Sequence, residues 1–190
     1  MKKVIFILCL FLIACEQKQE AKDDSKVSSQ QDIHHTGMIW QAPEGWIQEN
    51  PSNPMRKAQF STPREKGDSE DGSVVITFFP QQGQVGGVEA NLKRWYGQFK
   101  QPDGGNTEEK ALIKNSKINN LDLTTVEVSG TYLFQPNMMS GETVEKSNYK
   151  MLAAIVQGSQ GPYFIKFTGP EKTVTKWRES FNKFLETFKE

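Results

Sequence analysis

The longest unbroken apolar run in the chain lies at its start. Residues 4–14 are eleven apolar positions behind Lys2 and Lys3, the charged, apolar, small-residue order of an export signal. A spanning helix needs about twenty such residues, so residues 1–14 are expected to be a signal peptide and not a lasting membrane span. Residues 16–36 carry scattered apolar positions with a period of neither 2 nor 3.6, the pattern of a flexible polar tether. Regular patterning begins at Met38 and continues to Glu190.

Residues 38–46 join an apolar triplet, turn chemistry at Pro43-Glu44-Gly45 and a second tryptophan. Residues 55–62 alternate in part, and 73–80 are β-branched and aromatic between turn signals; both read as strands. Val88, Leu92, Trp95 and Phe99 recur at helical spacing and predict a helix over 88–100, stopped by Pro102 and Gly104-Gly105. Strand patterns return at 111–118 and 121–134 around a turn at Asn119-Asn120, with Gly130 marking a bulge or bend. Glu127, alternating between Val126 and Val128, is expected to face water. Residues 149–157 and 162–168 flank Gly158-Ser159-Gln160-Gly161 as a hairpin, and the apolar run 151–156 reads as a central strand covered on both faces. Gly169-Pro170-Glu171 then opens a terminal helix with the stripe Val174, Trp177, Phe181, Phe184 and Phe188. Strands and helices do not alternate, so the expected fold class is α+β: a mainly antiparallel β-sheet packed by two main helices, in one domain over 38–190.

Charge and cysteine content narrow the chemistry. The chain has 23 basic and 23 acidic residues; without Lys2 and Lys3, 21 against 23 leaves the processed form near −2. So even a balance gives no electrostatic footprint for a polyanion, and nucleic acid is not an expected partner. The two cysteines are Cys9, inside the signal, and Cys15. A disulfide, a cysteine zinc site, a redox pair and a cysteine nucleophile are thereby excluded from the domain. His34 and His35, the two histidines, both fall in the tether. No metal and no cofactor is expected.

No residue stands out as catalytic. Gly158-Ser159-Gln160-Gly161 is not GxSxG, and the domain has no histidine to activate a serine. A Ser-Lys pair stays open because its geometry is tertiary, as do paired carboxylates. Asp68, Glu70 and Asp71 lack the spacing of a calcium loop and read as a solvated turn. Gly86-Gly87 has no phosphate-binding frame around it and reads as a tight entry to a helix. Trp40, Trp46 and Trp95 are expected in core packing, with a groove for a glycan or lipid tail as the alternative. The candidate partner loop lies in the polar link 135–145, where Met138 and Met139 stand beside Pro136; adaptable methionines on a loop suit a permissive contact surface.

Two resemblances add to this. Leu12-Ile13-Ala14-Cys15 resembles the lipobox of bacterial lipoproteins, which implies cleavage between Ala14 and Cys15, a diacylglycerol on the Cys15 thiol, and residues 15–37 as lipidated cysteine and tether. The sequence AP-x-GW at Ala42, Pro43, Gly45 and Trp46, the mid-chain helix, and the hairpin before a Gly-Pro-led helix look like the Mog1/PsbP-like fold. That group includes small exported lipoproteins of unknown role, and the resemblance implies an α/β/α sandwich while carrying over no active-site residue. The expectation is a membrane-anchored envelope protein, periplasmic or extracellular, acting as a non-catalytic binding or accessory module for another envelope protein. Glu16 in place of an aspartate after Cys15 leans towards the outer membrane. The alternatives are an envelope hydrolase using carboxylates or Ser-Lys, and a small carrier of an apolar ligand.

Overall fold

The computed structural model describes residues 37–80, 87–136 and 141–190. Among these residues eight strands form one sheet, paired antiparallel throughout: β1 (Ile47–Glu49), β2 (Arg56–Thr62), β3 (Gly72–Phe78), β4 (Phe99–Lys100), β5 (Leu112–Ile118), β6 (Leu121–Phe134), β7 (Val144–Gly158) and β8 (Gly161–Pro170). Their order is β1-β2-β3-β8-β7-β6, and β5 and β4 share the outer edge of β6. The helices are few: α1 (Val88–Tyr96), α2 (Thr107–Lys110), α3 (Glu171–Lys176) and α4 (Arg178–Glu186).

Alternation along the central strands divides the apolar residues between two cores. On one face Phe60, Val74, Ile76, Leu152, Ala154, Ile165 and Phe167 meet Met38, Trp40, Val174, Phe181, Phe184 and Phe188. On the other, Val126, Val128, Met151, Ala153, Ile155 and Phe164 meet Leu92, Trp95 and Tyr96 of α1. The run 151–156 is therefore buried on both sides, as its unbroken apolar character predicts. Trp40 and Trp95 are buried, and Trp46 packs on Phe60, Phe167 and Phe184, so these tryptophans serve the core.

Turn chemistry sets the register. Asn119 and Asn120 both take positive φ, the geometry of a tight hairpin between β5 and β6, and the Asn119 amide donates to the Glu186 and Phe188 carbonyls at the end of α4. Gly130, at φ 151°, sits where the β6–β7 register shifts, and a Cβ there would meet the Lys100 carbonyl oxygen at 2.7 Å. The glycine thus bends β6 and admits β4.

Three expectations change. The helix read over 88–100 ends at Tyr96, because Phe99 pairs with Tyr132 as part of β4 and reaches the same core from a strand. The terminal helix is two: β8 runs through Pro170, and the helix breaks at Trp177 (φ −92°, ψ 4°) while all five stripe residues keep one buried side. The polar link is shorter than read, because β7 already begins at Val144. Residues 38–46 form none of the eight strands; Ile39 bridges Lys189, and Gln41 donates its backbone N–H to the Thr187 hydroxyl just past α4.

Candidate functional site

The long hairpin β6–β7 leaves the apolar core towards its open end. Residues 149–156 of β7 are buried, whereas 144–148 are exposed or half-buried. Near that end the face shared with α1 carries an aromatic strip: Tyr132 stacks on Tyr149 at 5.7 Å and touches Phe99 and Phe134 at 5.2 and 6.3 Å. The Lys146 ammonium lies 4.6 Å from the Phe134 ring centre and 5.5 Å from that of Tyr149, within cation–π range. It also donates to both oxygens of Glu70 at 2.7 and 2.8 Å, and the Tyr149 hydroxyl donates to the same carboxylate. Burial pushes the Glu70 carboxyl up, but the Lys146 and Tyr149 bonds and the Lys146 charge outweigh it and hold the group below its usual range. Burial, with Glu70 beside it, raises the Tyr149 phenol.

Beside the strip stands Lys166 of β8, on the same face. Its Nζ donates to Gln98 Oε1 at 3.1 Å and lies 5.9 Å from the Tyr132 ring centre. Burial, reinforced by the nearby Arg56 charge, lowers its amine to about 8. Arg56 donates to Gln59 Oε1 at 2.6 Å. Among the described residues neither cation has a carboxylate within ion-pair distance.

The opposite face holds a second polar group beneath α3 and α4. Arg178 grips Glu127 through two 2.5 Å bonds, and Lys150 lies 3.3 Å from Glu127 and 3.1 Å from Glu171. Glu127 therefore faces not water but a helix: it shares its face with Leu121 and Leu123, and α4 supplies the counterion. The bond from Arg178 is the main reason its carboxyl stays below the usual range. Clefts of about 210 and 400 Å3 flank this group, the smaller against Leu112, Ile113 and Phe181, the larger lined by Gln101, Ser129, Asn148 and Glu171. Ser129 is opposite Lys150 in the β6–β7 register, the spacing left open by the sequence for a Ser-Lys pair. Lys150 lies against two carboxylates, and the Ser129 hydroxyl donates to Glu171 at 3.3 Å and not to Lys150. The arrangement is an ionic clamp between helix and sheet, not an activated nucleophile.

The acidic turn is likewise engaged. Asp68 accepts from the Thr173 backbone and hydroxyl, Glu70 binds Lys146 and Tyr149, and Asp71 accepts from the Arg64 backbone. The turn is thus a latch that ties the start of α3 to β7. Among the described residues no three His, Cys, Asp or Glu side chains converge to hold a metal.

No protein-family model matches the chain, and no curated protein does. Solved structures similar to it include cyanobacterial PsbP (CyanoP) from Synechocystis, at 14% identity over 84% of this chain and 91% of that one, with a TM-score of 0.48. A protein of unknown function from Pseudomonas aeruginosa is 11% identical over 83% of this chain and 94% of its own, with a TM-score of 0.47. A protein from Bacteroides thetaiotaomicron is 16% identical over 84% of this chain and 48% of its own, with a TM-score of 0.45.

Of the residues singled out from sequence, Pro136 is exposed just beyond β6. Met138 and Met139 lie outside the described residues, as do Ala14 and Cys15. Lys166 went unnoticed, although a lysine between Ile165 and Phe167 in an otherwise apolar strand is the kind of signal that marks a buried charge.

Proposed function

We propose that the chain is an envelope lipoprotein anchored through Cys15, in which residues 15–37 tether a Mog1/PsbP-like α/β/α domain, 38–190, that binds another envelope protein without catalysis. On this reading the signal peptide is residues 1–14 and the domain faces the periplasm or cell exterior, at the outer membrane where there are two. The order of elements and the placement of α1 and of α3–α4 on opposite faces support the sandwich. The observation that carries the binding role is the open end of the β6–β7 hairpin: Val144 is 40% exposed, Pro136 is exposed, and the aromatic strip with Lys146 leads up to them. Exposed Pro136 and Val144 beside an aromatic and cationic strip give a composition that partner surfaces favour. Neither alternative gains a comparable observation, since the acids near the clefts are bound to cations or hydroxyls and both clefts are lined by polar side chains as well as carbon.

The test is site-specific photo-crosslinking in native envelopes. A benzophenone side chain at Val144 is expected to capture a protein that the same group at exposed Lys172 does not. Identical capture from both positions, or none from Val144, would remove the hairpin tip as the contact surface.

A further inference from the structure

Among the described residues, the face that carries Lys166 is only half covered. Among the described residues α1 shields β8, β7 and β6, while the same face of β2 and β3 bears Gln59, Ser61, Val75 and Thr77 and takes part in neither core. Gln59 is opposite Val75, and Val75 is opposite Lys166, so the three form one row on one face. Strands stand about 4.8 Å apart, which separates the Gln59 and Lys166 backbones by about 10 Å with half-buried Val75 as the floor. Arg56 reaches into the same row, because its guanidinium is fixed to Gln59 Oε1.

We propose that the floor between Arg56 and Lys166 binds a phosphate-class oxyanion, seated over Val75. Each cation is held by an amide, Gln59 for Arg56 and Gln98 for Lys166, and each keeps N–H donors unused by any described residue; the Gln59 amide also donates to Glu49 Oε2 at 2.6 Å, so the nearest acid in the row is engaged by the amide and not by Arg56. Amides orient a cation without neutralising it. Two positive charges without a carboxylate partner on a partly desolvated floor repel one another, and a doubly charged oxyanion relieves both at once. The register and the Arg56–Gln59 bond place the two cations on one floor, and after burial the Arg56 charge is the second cause that lowers the Lys166 amine. The ring of Tyr132, 5.9 Å from the Lys166 ammonium, borders the site on the side of the hairpin. The site is independent of the anchor and of the hairpin-tip contact.

Calorimetric titration of the purified chain with inorganic phosphate, against sodium chloride at matched ionic strength, tests this directly. Saturable phosphate binding is expected, weakened tenfold or more in Arg56→Gln and in Lys166→Met and retained in Lys166→Arg, with circular dichroism confirming that each variant is folded. Phosphate binding equal in wild type and both neutral variants, or an equal response to chloride, would overturn the proposal. Vesicles of phosphatidylglycerol and of phosphatidylcholine, offered to the full chain carrying Cys15→Ser so that no acyl anchor binds them, identify the source of the phosphate. Retention by the anionic vesicles alone, lost in Arg56→Gln, assigns the site to a lipid headgroup; binding of free phosphate without vesicle retention assigns it to a soluble ligand.

Discussion

Glu127 and Lys166 are charged residues set in apolar strands, and their surroundings treat them oppositely. Glu127 is 21% exposed and meets Arg178 and Lys150; Lys166 meets an amide, an aromatic ring and another cation. The carboxyl of Glu127 lies below its ordinary 4.5 when folded, so its stabilisation is complete above that value and is lost as pH falls through the lowered one. Glu127→Gln is expected to cost about 1.5–3 kcal/mol at neutral pH, the loss of charged hydrogen bonds. The variant's urea midpoint should also fall less steeply than wild type as pH is taken below 4.5, through the lowered range of the Glu127 carboxyl. Lys166 has the opposite sign: with a folded value of about 8 against 10.5 unfolded, the unfolded chain binds more protons between these limits, and stability rises with pH across them. Lys166→Met should therefore raise the thermal midpoint by several degrees at pH 7, an advantage that shrinks towards pH 10.5; a lower midpoint at pH 7 would show that the amine is not a desolvation burden. The sequence displays both residues as charges in apolar company, but the counterion that separates their fates comes from elements 51 residues away in one case and is absent in the other.

At the scale of elements, the terminal stripe was legible because a period of 3.6 in large apolar residues has one use, docking onto an apolar sheet face. Val174, Phe181, Phe184 and Phe188 are all 2% exposed or less. Phe184→Ala is expected to lose about 3–5 kcal/mol in denaturant unfolding, the combined transfer and cavity cost of a buried ring, while truncation after Lys172 should abolish cooperative unfolding. The break at Trp177 was not legible. Its ring sits over Gly45, where φ is +83° and a Cβ would come within 2.7 Å of the indole, and its Nε1 donates to the Pro63 carbonyl. Gly45→Ala should therefore destabilise by about 1–3 kcal/mol through both backbone strain and this clash, whereas substitution of Gly67, with open space around it, carries only the backbone part. The glycine of the AP-x-GW stretch thus owes its identity to a residue 132 positions later, a contact that periodicity cannot encode.

For the molecule as a whole, the expected attachment rests on Cys15. Two or more acyl chains hold a protein firmly where one gives only marginal binding, so Cys15→Ser should move the chain to the soluble fraction or leave it unprocessed, and should abolish labelling by a palmitate analogue. Persistent labelling would refute the lipid site. The sequence by itself determined the antiparallel sheet, the double-sided burial of residues 151–156 and the docking stripe at the end, because these depend on local periodicity and turn chemistry that neighbouring residues carry. It also confined cysteine and histidine chemistry to the first 35 residues. Only the tertiary structure decided that Ser129 and Lys150 stand opposite one another without forming a nucleophile, that the acidic turn is a latch, and that Gln59, which holds Arg56, lies across Val75 from Lys166. Each of these depends on strand order and register, and pairing of residues about ninety positions apart, as between Val75 and Lys166, follows from how the sheet is assembled and not from the spacing of residues along the chain.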